Sequence, residues 1–199
     1  MNHHEQQSGR AIGAIFFTIF GSAWLAGWAL ASFGTAPAVL LALALAGAAL
    51  LYRAVHIFRW HRRRVAGAAS ERAKANAARR SMLRQFYLVN AVQWLGLVML
   101  ISVLRNTGHR EWEQVAIIGV VGLHFLPLAR TFHTRAHVIT GLALLLLAGL
   151  YPLLAPAGPA DAVGALGAGL ILWASAVWAL RGGTIGTAVP ASNRVVQSS

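Results

Sequence analysis

Apolar positions fall along this chain in six long stretches, separated by four short polar breaks and, between the second and third, by the long basic segment 59–85. The stretches cover 11–33, 37–58, 86–104, 115–129, 138–154 and 162–180. A bilayer crossing needs about 20 predominantly apolar residues. The fourth stretch is the shortest, with Trp112 before it and Phe132 after it. The breaks "FGTAP", "RNTGHREWEQ", "RTFHTRAH" and "APAGPAD" hold the Gly, Pro and charged residues that end helices. In lipid only helices and closed barrels satisfy every backbone group, and barrel strands alternate apolar with polar. These runs are continuously apolar, so they read as helices. The expected fold class is all-α: a polytopic membrane protein of six transmembrane helices, paired by short loops into antiparallel hairpins. The membrane domain is 11–181, flanked by an N-terminal segment 1–10 and a flexible tail 182–199.

Composition agrees with this pattern. Only 11% of the 199 residues are charged, against about 25% in a soluble domain. Cysteine is absent, which removes disulfides and thiolate metal sites. The formal charge of +12 is distributed unevenly. Of 17 Lys and Arg, 15 fall on the side holding both termini and the 59–85 segment, and only Arg105 and Arg110 fall on the other. By the positive-inside rule both termini are cytoplasmic. A signal peptide's apolar core runs about 7–15 residues. The first stretch is longer, so it is expected to stay as a span. The Ala, Arg and Gly bias and short loops suggest a bacterial inner membrane. Six spans also allow two inverted halves of three, as in many transporters. "LALALAG" (41–47) resembles "LALLLLAG" (142–149), with Tyr52 and Tyr151 following.

The basic segment "RWHRRRVAGAASERAKANAARRSMLR" (59–84) has no Pro and is rich in Ala and Arg, strong helix formers. Arg62, Arg63, Arg64, Arg79 and Arg80 are placed to meet anionic lipid head groups, at about 1 kcal/mol for each basic residue near the surface. The plainer role is a topology anchor. Nucleic acid is not expected, because no aromatic stacking platform accompanies the charge. Gly- and Ala-rich spans let helices approach closely, notably "GALGAGL" (164–170), and suggest a small homo-oligomer.

Polar residues inside the spans are the candidate chemistry. In "GLHFLPLAR" (122–130), His124 lies about 8 Å from the cytoplasmic end of its span at 1.5 Å per residue. On the third span Asn90 and Gln93 lie about 6 and 10 Å in; on the second Arg53 lies about 8 Å in; on the first Thr18 lies about 10 Å in. Four spans thus place polar groups in one cytoplasmic third, where such groups usually face the bundle interior or a wet cavity. A neutral imidazole wants one donor and one acceptor, and Gln93 at similar depth offers both. Pro127 lacks an N–H and displaces the carbonyl of Leu123, which would leave a free acceptor beside His124. Arg53 can equally snorkel to the head groups, and Asn90 and Gln93 can serve as interhelical hydrogen bonds.

Several chemistries lack their residues. The five acids, Glu5, Glu71, Glu111, Glu113 and Asp161, all fall in loops or at ends. No HExxH, P-loop or GxSxG pattern occurs. His124 reads as the only deep histidine, which disfavours a haem held by two. No metal, cofactor or catalytic residue is expected, and the chain is not expected to be an enzyme. Two readings of function follow. One is a small permease or channel-like protein whose cytoplasmic vestibule is lined by His124, Gln93, Asn90 and Arg53, with Pro127 opening the helix. The other is a non-catalytic membrane interaction or assembly factor anchored by its basic loop.

Overall fold

The computed structural model describes residues 3–64, 69–132 and 135–181, with side chains described for 13–60, 84, 87–129 and 135–181. Among these, six helices are long and apolar enough to cross a membrane, and no strand is present. They are α1 (His3–Phe33), α2 (Pro37–Arg64), α3 (Ala69–Asn106), α4 (Glu113–Phe132), α5 (Arg135–Leu154) and α6 (Val163–Arg181).

The first three helices reach furthest beyond the apolar stretches. The segment before the first span belongs to α1 from His3 onward. The basic segment divides between the end of α2, which carries Arg62 to Arg64, and the start of α3, which carries Arg79 and Arg80. The side chains of these five arginines, and the tail 182–199, lie outside the described residues. The fourth helix is not short. It begins at Glu113 and spans 20 residues. A 3-10 turn, Arg110–Trp112, leads into it.

Helix ends follow local chemistry. Gly34 and Gly108 take φ of +62° and +84°, where a Cβ would be strained. At the end of α3 the His109 N–H donates to the Leu104 carbonyl at 2.8 Å and the Gly108 N–H to the Arg105 carbonyl at 3.4 Å. That is the Schellman pattern, which satisfies orphan carbonyls. Pro37 opens α2, where its missing N–H costs nothing.

The helices pack in the order α2, α1, α6, α5, α4, α3. α2 lies along α1 and touches α6, while α3 lies along α4. The four central helices each give one fully buried side chain to a shared core: Phe17, Ile118, Leu144 and Leu172. In lipid this packing is driven by close contact rather than by expulsion of water, so small residues matter at the crossings. A methyl group at Gly141 would come 2.8 Å from the Gly122 carbonyl oxygen, so α4 and α5 touch backbone to backbone. A methyl at Gly21 would come 3.2 Å from the Gly169 carbonyl oxygen, so α1 and α6 do the same. The glycines of 164–170 are therefore occupied within the chain: Gly164 meets Tyr151 and Gln114, Gly167 meets Leu147, and Gly169 meets Leu25.

Polar groups at these crossings pair with one another. The Thr140 and Ser175 hydroxyls lie 2.6 Å apart between α5 and α6. The Trp173 indole N–H donates to the Ser22 hydroxyl at 3.2 Å between α6 and α1.

Candidate functional site

A cavity of about 130 Å³ lies where α1 and α3 face each other without packing along one another. α1 supplies Gly13, Phe16, Phe17, Phe20 and Trp24; α3 supplies Asn90 and Gln93. α4, α5 and α6 close the back with His124, Phe125, His137 and Leu172. Among the described residues, no lining residue is an acid, a lysine or an arginine. The described part of the wall is largely apolar and aromatic, with two carboxamides and two imidazoles.

Helix periodicity explains who faces the cavity. On α4 the lining positions Val121, His124, Phe125 and Leu128 follow the i, i+3, i+4, i+7 rule of one helix face. Asn90 and Gln93, three apart, share a face on α3. Phe17, Phe125 and His137 form an aromatic triangle: Phe17 lies 5.3 Å from both of the others, centroid to centroid, and Phe125 lies 5.9 Å from His137. The His124 ring meets Phe125 edge-on at 6.0 Å. These separations are those at which aromatic quadrupoles attract. His124 Nδ1 is buried and makes no hydrogen bond. The expected pairing of Gln93 with both ring nitrogens is thus absent at Nδ1. A buried, unmade hydrogen bond costs about 1–3 kcal/mol, and among the described residues this nitrogen is the buried side-chain polar atom that lacks one.

The structure brings Asn90, Gln93 and His124 together and leaves other candidates apart. Arg53 is exposed on α2 and does not line the cavity. The physical reason is the packing order, since α2 sits on α1 away from α4. Pro127 is exposed, does not line the cavity, and leaves α4 helical through Phe132. Thr18 is buried, but its hydroxyl donates to the Ala14 carbonyl of its own helix at 2.8 Å. Arg62, Arg63, Arg64, Arg79 and Arg80 are placed only as positions on α2 and α3.

His137 is a second buried histidine at the site, at the end of its span rather than deep in it. α5 begins at Arg135, three residues before the apolar stretch, which puts His137 in the first turn of the helix at 7% exposure. The sequence held a signal for it. The buried face of α5 reads His137, Thr140, Gly141, Leu144, Ala148 and Tyr151, and this stripe projects back from Leu144 through the supposed loop.

A second, more open pocket, about 300 Å³, is lined by Phe20, Ala23, Trp24, Gly27, Ala31, Gln114, Ala162 and Ala165. It lies toward the C-terminal end of α1 and the N-terminal ends of α4 and α6. Phe20 and Trp24 line both pockets. The side chain of Gln114 is held from beyond: its Nε2 donates to the Asp161 carbonyl at 2.9 Å and to the Tyr151 hydroxyl at 3.4 Å.

The chain matches no family model, no curated protein and no solved structure. Its function has to be argued from this geometry.

Proposed function

We propose that the chain is a small, non-catalytic, multi-pass permease of the bacterial inner membrane. Its helices form antiparallel hairpins with both termini in the cytoplasm. The cavity around His124 is its cytoplasm-facing vestibule. The observation that carries this reading is the pair of pockets that share Phe20 and Trp24. Between them their α1 residues run from Gly13 to Ala31, most of the span. Substrate sites of transporters lie near the middle of the bilayer, and Phe20 and Trp24 fall in the middle of the span 13–33. The basic ends of α2 and α3 then face the cytoplasmic leaflet, where anionic lipids attract them.

Two measurements test this. Reporters active only outside the cytoplasm, fused after Gly34, Gly108 or Gly158, should be active at all three sites; silence at all three overturns the orientation. Proteoliposomes should take up at least one of urea, glycerol and uracil faster than empty liposomes, and Trp24→Ala should speed that uptake further. Uptake equal to empty liposomes for all three overturns the permease and favours the assembly factor, for which neutralising Arg62, Arg63 and Arg64 is the damaging change.

A further inference from the structure

We infer that the inner cavity opens sideways into the bilayer between α1 and α3 and holds one ester-linked phospholipid there. The acyl chain lies on α1 and the ester carbonyl meets the carboxamides of α3. The inference goes beyond the permease reading and does not rest on it.

The opening follows from the packing. Among the described elements, α1 packs along α2 and α6, and α3 packs along α4, so a gap is left between α1 and α3. Phe16 and Phe20 line the cavity from α1, yet they are 43% and 51% exposed. Both lie inside the span Gly13–Phe33. A surface exposed at that depth meets lipid rather than water. A cleft left unfilled forfeits the dispersion contacts of its walls. A hydrocarbon chain is the filling that the surroundings supply.

The apolar wall has the length of one such chain. Gly13, Phe16, Phe20 and Trp24 are spaced i, i+3, i+7 and i+11, which is one face of a helix. At 1.5 Å per residue this strip runs about 16 Å. One leaflet supplies half of a hydrocarbon core of about 30 Å, or about 15 Å. The Phe16 and Phe20 rings are stacked, with centroids 6.4 Å apart and planes at 15°. They make a continuous apolar strip along which a chain can lie extended.

The polar wall stands across from it. Asn90 and Gln93 lie three and six residues into the span Tyr87–Asn106, within its first two turns, and both are half-buried. The ester carbonyls of a phospholipid mark the edge of the hydrocarbon, close to this level. A carboxamide in hydrocarbon is costly unless it is hydrogen-bonded. Each carboxamide has two N–H donors, so it can keep a partner within the bundle and still donate to a lipid carbonyl. An ester oxygen only accepts, which is what these N–H groups complement.

Native mass spectrometry of the full-length chain, delipidated in detergent and titrated with lipid, reads the binding apart from any flux. The probes are phosphatidylglycerol with ester-linked chains and its ether-linked analogue, which keeps the head group and both chains but lacks the two carbonyls. One ester lipid should bind per chain, about 3- to 10-fold more tightly than the ether lipid, the worth of one hydrogen bond. Gln93→Leu should remove that preference and leave ether binding as it was. Phe16→Ala with Phe20→Ala should weaken both lipids alike. Leu30→Ala with Phe33→Ala removes equally exposed side chains of α1 that do not line the cavity, and should weaken neither. Ether lipid binding as tightly as ester lipid in wild type overturns the inference, and this comparison needs no variant to fold. So does failure to bind either lipid, an ester preference that survives Gln93→Leu in a folded chain, or equal losses from the two α1 pairs. Flux without a bound lipid refutes this inference and keeps the permease. A bound ester lipid without any flux does the opposite.

Discussion

The two ends of the bundle use polar residues in opposite ways. At the end where α4 begins and α5 finishes, polar groups are consumed by one another. The Tyr151 hydroxyl donates to the Pro159 carbonyl at 2.9 Å, Gln114 bridges Tyr151 to the Asp161 carbonyl, and Arg105 holds Glu113 through two bonds of 2.8 and 3.0 Å. At the end where α3 and α5 begin, His124 leaves a buried nitrogen unmatched beside a cavity. Satisfied networks fix a structure, while an unsatisfied buried group calls for a separate explanation. On the proposed reading, the first end is built for stability and the second for a ligand.

The largest expected effect tests what both ends share, the backbone contact between α4 and α5. Gly141→Ala puts a methyl 2.8 Å from the Gly122 carbonyl oxygen, a neighbour that cannot swing away. The helices must separate, at about 1–3 kcal/mol, and His124 and His137 must move apart with them. Gly149→Ala, on the same helix with nothing within 4 Å of the new methyl, is the control. It should be neutral or slightly stabilising, because Ala is the better helix former by up to about 1 kcal/mol. Equal melting temperatures for the two variants would mean that the α4–α5 contact is not what sets the cavity's shape.

A sharper test sets one residue of each end against the other. Tyr151→Phe removes a hydroxyl from the satisfied network and should destabilise the chain by about 1–2 kcal/mol, with binding at the cavity unchanged. His124→Leu removes a ring whose buried nitrogen already lacks a partner. Replacing an unsatisfied polar group by an apolar one is close to neutral or stabilising, so its melting temperature should hold or rise. Should His124→Leu fall as far as Tyr151→Phe, the histidine is structural and the contrast between the ends is lost.

Much of this arrangement was legible in the sequence, and the gaps have physical causes. The six spans follow from apolar length alone, and depth follows from helix rise, which is why Asn90, Gln93 and His124 were placed at one level and do meet. Rise says nothing about which way a helix face turns. Arg53 has the right depth, but α2 packs outside α1, and the exposed side chain does not line the cavity. Charged and polar residues at span ends also hid structure. Glu113 and Gln114 read as loop because they are polar, yet both are helical with partners across the loops. Arg135 had the same effect on α5 and concealed His137. The place of Phe20 and Trp24 in two pockets was not legible at all, since it depends on where α4 and α6 leave space along α1.

The smallest effect is confined to acid and concerns the stable end alone. The Asp161 carboxylate accepts the Val163 N–H at 2.9 Å ahead of α6 and the Ala157 N–H at 3.1 Å across the turn. Those two bonds, Val163 first, hold its carboxyl below the usual carboxylate range. A group whose pKa is lower folded than unfolded adds stability above its unfolded value and loses it as pH falls through the folded one. The melting temperature should therefore not depend on this group near neutrality. Below the ordinary value of 3.8 it should drop as the proton arrives. Asp161→Asn keeps an acceptor oxygen but cannot titrate. It should cost about 2–4 °C at neutral pH, in the range of a lost helix-end hydrogen bond, and the difference from wild type should narrow as the pH is lowered. Ligand binding should be the same in both, because the carboxylate stands at the end away from His124. A binding defect in Asp161→Asn at neutral pH would show that the two ends are coupled rather than divided in their tasks.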